Sequence, residues 1–230
     1  MNDLSADGCE WVAVPPVPVF AWGDWEGAGL ALRVGARLEL GQPWFSGPEA
    51  DFQPGTVWLG VCGEDLLVFA TLRDDAPANR AVQWNEPTWM TGDVLELFFQ
   101  AEGRPGYWEL HVTPENQRLQ LFFPSTAAFH ERRGHRHWAV AESRFESLAR
   151  VNAAGDGWQV MMRVPLALVL DEPREQDGGG GGRGSRGFRF LFSRYDYQPG
   201  RARPVTSATA RMTAPDFHHI PEWHRAVVAG

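Results

Sequence analysis

Residues 93–123 read DVLELFFQAEGRPGYWELHVTPENQRLQLFF. Two turn-forming stretches, AEGRPG and PEN, divide this segment into three short runs at 93–100, 107–113 and 117–123. In the second run Trp108, Leu110 and Val112 fall on one face and Glu109 and His111 on the other, the two-residue period of a half-buried strand. In the first, Glu96 shares a face with Val94 and Phe98. Three consecutive strands with short connections predict an antiparallel sheet.

The same rhythm extends in both directions. Residues 30–40 (LALRVGARLEL) alternate and predict a strand. Residues 56–61 and 66–73 flank Gly63-Glu64-Asp65 as a hairpin. Residues 144–152, 157–164 and 187–197 supply further strands, and one short helix is expected after Pro165. The reading is an all-β chain: a single antiparallel β-sandwich, jelly-roll-like, with at most one short helix. Residues 1–27 form a Pro- and Trp-rich lead-in packed on the domain, residues 28–230 the sandwich, and 177–187 (DGGGGGRGSRG) a Gly-rich loop within it.

Composition removes several kinds of chemistry. All 21 basic residues of the 230-residue chain are arginine, so neither a Schiff-base lysine nor a phosphate-loop lysine exists. A net charge of −8 has the wrong sign for a broad nucleic-acid footprint. Two cysteines, Cys9 and Cys62, make neither a disulfide framework nor a four-cysteine zinc site. The N-terminus lacks the pattern of a signal peptide and no apolar run is long enough to span a membrane, which predicts a soluble cytoplasmic protein.

Tryptophan is over-used, with 11 in the chain. Trp58, Trp108 and Trp158 sit within strands and read as core. Trp84 and Trp89 lie in QWNEPTWMTGD, between strands, where an indole either packs or stacks on a sugar ring or a base. Glu96, on an apolar face, needs a donor: a salt bridge, Arg194 being one partner, or a ligand. Paired-carboxylate glycoside hydrolysis would use Glu96 with Glu109 as second acid. His130, His135 and His137 sit among Arg132, Arg133 and Arg136, which reads as an exposed loop rather than a metal site. Acidic pairs Glu64-Asp65 and Asp74-Asp75 are calcium candidates at turns or simply solvated.

Several segments, in order, resemble the family 9 carbohydrate-binding modules and their DOMON-like relatives. VWLGVCGEDLLVFATLRDD looks like the family's hairpin, and PTWMTGDVLELFFQ is similar to its signature of Trp, a spacer, Asp and an acidic residue within the strand. GYWELHVTPENQRLQLFF, GFRFLFSRYDY, PVTSATA and FHHIPEWHRAVV resemble the strands and C-terminal stretch that follow. The resemblance implies a β-sandwich that binds a mono- or oligosaccharide without cleaving it. By position it makes Trp89 a stacking platform and Glu96 the acceptor of sugar hydroxyls, while Trp84 stays a ligand-stacking candidate from its place in the loop alone. Arg194 becomes a donor, and Phe217 or His218 the second platform. It implies no cofactor, although family members can hold structural calcium. DOMON-like domains also hold haem, for which Met90 with His218, or Met212, are the candidate ligands. A glycoside-processing enzyme using Glu96 is a further alternative, and the aromatic lead-in offers a surface to a protein partner.

Overall fold

The computed structural model describes residues 11–131, 133–171 and 187–229. Residues 1–10 of the lead-in and 177–186 of the Gly-rich stretch lie outside the described residues. Among the described residues twelve strands form two sheets packed face to face. The first sheet has seven strands: β1 (Trp11–Val14), β5 (Val94–Ala101), β6 (Tyr107–Val112), β7 (Arg118–Phe123), β10 (Gly187–Asp196), β11 (Val205–Ala208) and β12 (His224–Val228). Its order is β1-β12-β10-β5-β6-β7, with β11 continuing the β12 side of β10. The second has five, β2 (Ala36–Glu39), β3 (Gly55–Cys62), β4 (Asp65–Arg73), β9 (Gly157–Pro165) and β8 (Glu146–Val151), in that spatial order. Pairing is antiparallel except between β1 and β12, which run parallel. No helix among the described residues is long and apolar enough to cross a membrane.

Alternation sorts the first sheet into two faces. Leu95, Leu97 and Phe99 of β5, Leu110 and Val112 of β6, and Phe188, Phe190 and Phe192 of β10 point inward and meet Val57, Leu59, Val68, Ala70, Val160 and Met162 of the second sheet. The outward face is also apolar. Phe98, Tyr107, Leu119, Leu121, Phe123 and Leu191 form a second core with Met212, Phe217, Ile220 and Trp223 of the C-terminal segment. Burying both faces of the central strands explains why β5 is closed to solvent over nearly its whole length.

The hairpin around Gly63 and the strands at 93–123 lie where the sequence puts them. Residues 30–40 do not form one strand. Asp24 caps a helix, α1 (Trp25–Ala31), by accepting from the Gly27 amide at 3.0 Å, a 3-10 turn follows at Leu32–Val34, and only Ala36–Glu39 is extended. A helix does follow Pro165, α4 (Leu166–Val169), and two more one-turn helices, α2 (Thr126–His130) and α3 (His135–Trp138), lie after β7. The lead-in contributes β1 to the sheet edge, and its tryptophans lie against arginines. Arg225 stands over Trp11 at 5.3 Å, Arg163 over Trp22 at 5.0 Å and Arg150 over Trp25 at 4.5 Å.

Candidate functional site

A pocket of about 490 Å³ opens on the outward face of the seven-stranded sheet, a size suited to a small ligand. Its floor is made by β5 and β6, where Glu96 pairs with His111 and Phe98 with Glu109 across the ladder. Tyr195 of β10 and Leu121 and Phe123 of β7 extend the floor. Trp89, α2, α3 and residues 215–218 build the walls. Trp89 is carried by a 3-10 turn at Thr88–Met90, and Gly92 beyond it holds φ of 155°. Any Cβ on Gly92 would lie 2.3 Å from the Ala78 carbonyl, so this backbone approach requires glycine.

At the floor, Glu96, Glu109 and His111 form one buried network. His111 Nε2 lies 2.6 Å from Glu109 Oε1 and 3.3 Å from Glu96 Oε1. The His111 Nδ1 meets the Thr88 hydroxyl at 2.8 Å, and the Ser193 hydroxyl donates to Glu96 Oε2. On the other side of Glu109, His218 Nε2 stands 3.7 Å from Oε2, and its Nδ1 lies 2.8 Å from the Tyr107 hydroxyl. Burial raises both carboxyl groups above their usual range, with His111 opposing the rise at Glu96 and His218 opposing it at Glu109. Burial lowers both imidazoles. The floor is therefore acceptor-rich, and the cationic partners of its carboxylates among the described residues are histidines, His111 and His218.

The walls are aromatic. Trp89 and Trp138 are half-buried indoles, Phe129 stacks on His218 with ring centroids 3.6 Å apart, and His135 meets Trp89 edge-on at 5.7 Å. Among the described residues the buried His135 Nε2 has no hydrogen-bond partner.

Of the residues singled out from the sequence, Trp89, Glu96, Phe217 and His218 line this one pocket. Phe217 is only 4% exposed and packs edge-on against Tyr195, while Phe129 covers His218, so neither presents an open ring face as a second platform. Two residues lie elsewhere. Trp84 does not line the pocket; its loop turns the ring toward Arg118, whose guanidinium stands over it at 4.6 Å. Arg194 pairs with Leu95 across the ladder, on the inward face, so it cannot reach the ligand face or the Glu96 carboxylate. It is fully buried and bonds Asp74 at 2.8 Å, with Asp196 at 3.2 Å. His111, Phe129, Tyr195 and Trp138 were not singled out. The alternation in β6 places His111 beside Glu109, but nothing in residues 124–139 signals that α2 and α3 fold over the sheet. His130 and His135 line the pocket rather than forming a bare exposed loop.

Three carboxylates, Asp74, Asp93 and Asp196, gather within 4.8 Å of one another beside Arg194. These hard oxygens match calcium, yet the guanidinium already supplies a positive charge to two of them, so an ion would have to displace it. Met90 is 63% exposed and does not line the pocket that holds His218, and Met212 is packed in the second core, so neither completes a haem ligand pair there. A larger hollow, about 890 Å³, lies at the ends of β3, β4 and β9. Its one indole, Trp158, is 1% exposed and offers a ligand no face.

A scan of family models finds no match to the chain, and a sequence search of curated proteins finds none either. Solved structures share the fold. A Bacteroides uniformis protein described as carbohydrate-binding superposes with a TM-score of 0.66 at 13% identity, over 95% of this chain and 99% of that one. A family 9 carbohydrate-binding module of Caldicellulosiruptor kristjanssonii, in complex with cellotriose, gives 0.61 at 13% identity over 96% and 94%. A family 9 module from the same organism, in complex with glucose, gives 0.55 at 12% over 96% of each. The chain has the fold of the family 9 carbohydrate-binding modules.

Proposed function

We propose that the chain is a non-catalytic carbohydrate-binding protein that holds a sugar in the pocket above Glu96 and Glu109. The observation that carries this reading is the pairing of half-buried indoles, Trp89 and Trp138, with a carboxylate floor. A pyranose ring has the complementary chemistry, an apolar C–H face and an equator of hydroxyl donors. Trp89 stacks the ring, and Glu96 and Glu109 accept hydroxyls. The shared fold, whose members include modules solved with glucose and with cellotriose, supports glucose and β-linked glucose oligomers as the first ligands to try. One stacked ring contributes on the order of 1 kcal/mol and each hydroxyl bond a similar amount, which after association costs gives micromolar to millimolar affinity.

The geometry favours binding over hydrolysis. Glu96 and Glu109 rise from the same sheet face and converge on one imidazole, whereas a glycosidase sets its two carboxyl groups on either side of the scissile bond. A thermal-shift screen against glucose, cellobiose, cellotriose and other mono- and disaccharides tests the reading. A sugar that raises the midpoint, without release of an activated leaving group from a nitrophenyl glycoside, supports it. Turnover that disappears in Glu96→Gln overturns it.

A further inference from the structure

Glu96, Glu109 and His111 are all buried and each offers one ligand atom, these atoms lying within 4.8 Å of one another. The far side of two of the three is fixed by a hydroxyl outside the set. Thr88 holds His111 through Nδ1, and Ser193 holds Glu96 through Oε2. That leaves His111 Nε2 and Glu96 Oε1 facing each other, oriented as metal ligands are by their outer partners. Independently, Glu109 is 5% exposed and lines the pocket, and the nearest cationic group to its Oε2 among the described residues, His218 Nε2, stands at 3.7 Å, beyond hydrogen-bond reach. A carboxylate oxygen that lines a cavity, with its nearest imidazole beyond hydrogen-bond reach, has a lone pair left for a ligand or a cation.

We propose that Glu96, Glu109 and His111 bind one divalent transition-metal ion, best matched by zinc, at the floor of the pocket. Zinc takes mixed imidazole and carboxylate ligands, and with three protein ligands keeps a fourth position open. Tetrahedral bonds of about 2.0–2.1 Å set ligand atoms about 3.3 Å apart. His111 Nε2 and Glu96 Oε1 already stand at 3.3 Å, and Glu109 Oε1, at 2.6 Å, has only to draw back by a side-chain adjustment. The imidazole argues against calcium or magnesium, which prefer oxygen alone. The open position faces the pocket, where a ligand hydroxyl or a water would complete the shell.

The test uses the full chain, stripped with a chelator and titrated with zinc by calorimetry and with cobalt(II) as an optical probe. The expected result is one equivalent of zinc, and a visible cobalt spectrum of a low-coordinate site that zinc displaces. Glu109→Gln removes a ligand and Ser193→Ala only the hydroxyl behind Glu96, so each lowers zinc affinity by about tenfold or more, and the milder Ser193→Ala keeps the test readable if the buried Glu109 variant does not fold. His137→Ala, outside the pocket, leaves affinity unchanged. No stoichiometric uptake, or uptake that neither Glu109→Gln nor Ser193→Ala weakens, overturns the proposal. Sugar is absent from these titrations, so their failure leaves the sugar reading standing, and a failed sugar screen leaves the metal result standing.

Discussion

Glu109 and His111, two residues apart on one face of β6, meet at 2.6 Å between Oε1 and Nε2, with Thr88 Oγ1 closing the other side of the ring at 2.8 Å. The imidazole is fully buried, so both nitrogens depend on these partners. Thr88→Val keeps the shape and deletes the hydroxyl, leaving Nδ1 unpaired. The expected loss is about 1–3 kcal/mol of unfolding free energy in urea titration. An unchanged midpoint would mean that the ring is held by Glu109 and packing alone.

Trp223 and Trp89 separate folding from binding. Trp223 is fully buried, donates from Nε1 to the Phe217 carbonyl at 2.9 Å and packs on Phe98 and Tyr107. Trp223→Ala should cost about 3–5 kcal/mol and loosen the 215–218 wall. Trp89 is half-buried at the pocket wall, so Trp89→Ala should cost far less. Equal losses in chemical denaturation would show Trp89 to be core.

Arg194→Met tests the inward placement of that residue. The substitution strands Asp74 and Asp196 without their buried guanidinium, and destabilisation of about 3–5 kcal/mol is expected. Ligand affinity per folded molecule should stay within about twofold, since the side chain lies on the opposite face from the pocket. Loss of binding in a fully folded variant would place Arg194 at the ligand after all.

Stability should fall as pH rises. Burial, reinforced by Asp74, raises Asp93 to about 7 against the amide bonds it accepts from Ala78 and Tyr197. Burial raises Asp196 to about 6 despite Arg194, with Asp74 and Asp75 adding repulsion. Both folded values exceed the unfolded value of about 3.9, so their stabilising contribution is full below about pH 4 and is lost as pH climbs through 6 to 7. The thermal midpoint is expected to be higher near pH 5 than near pH 8, with a shallower decline in Asp93→Asn. A midpoint that rises across this range contradicts the assignment.

Alternation carried much of the architecture into view. In β5 and β6 it separates Leu95, Leu97, Leu110 and Val112 from Glu96, Glu109 and His111, and the sheet keeps that division. The same rule, applied to GFRFLFSRYD, puts Arg194 with Phe190 and Phe192 rather than with Ser193 and Tyr195. The family resemblance drew attention to its charge instead of its face. The segment at 30–40 misleads because a helix capped by Asp24 ends inside an alternating run. The pocket walls were illegible for a different reason. α2 and α3 are single turns with no periodicity, and their burial of Phe129 and Trp138 depends on the sheet they cover.

Isothermal titration of the intact chain with the sugar that most raises its thermal midpoint, run in parallel with Trp89→Ala, bears most directly on the carbohydrate reading. Saturable one-site binding in the micromolar to millimolar range is expected, weakened about tenfold or more in the variant while its fold is retained. Saturable binding that Trp89→Ala leaves unchanged, or no heat for any sugar at millimolar concentration, would contradict it.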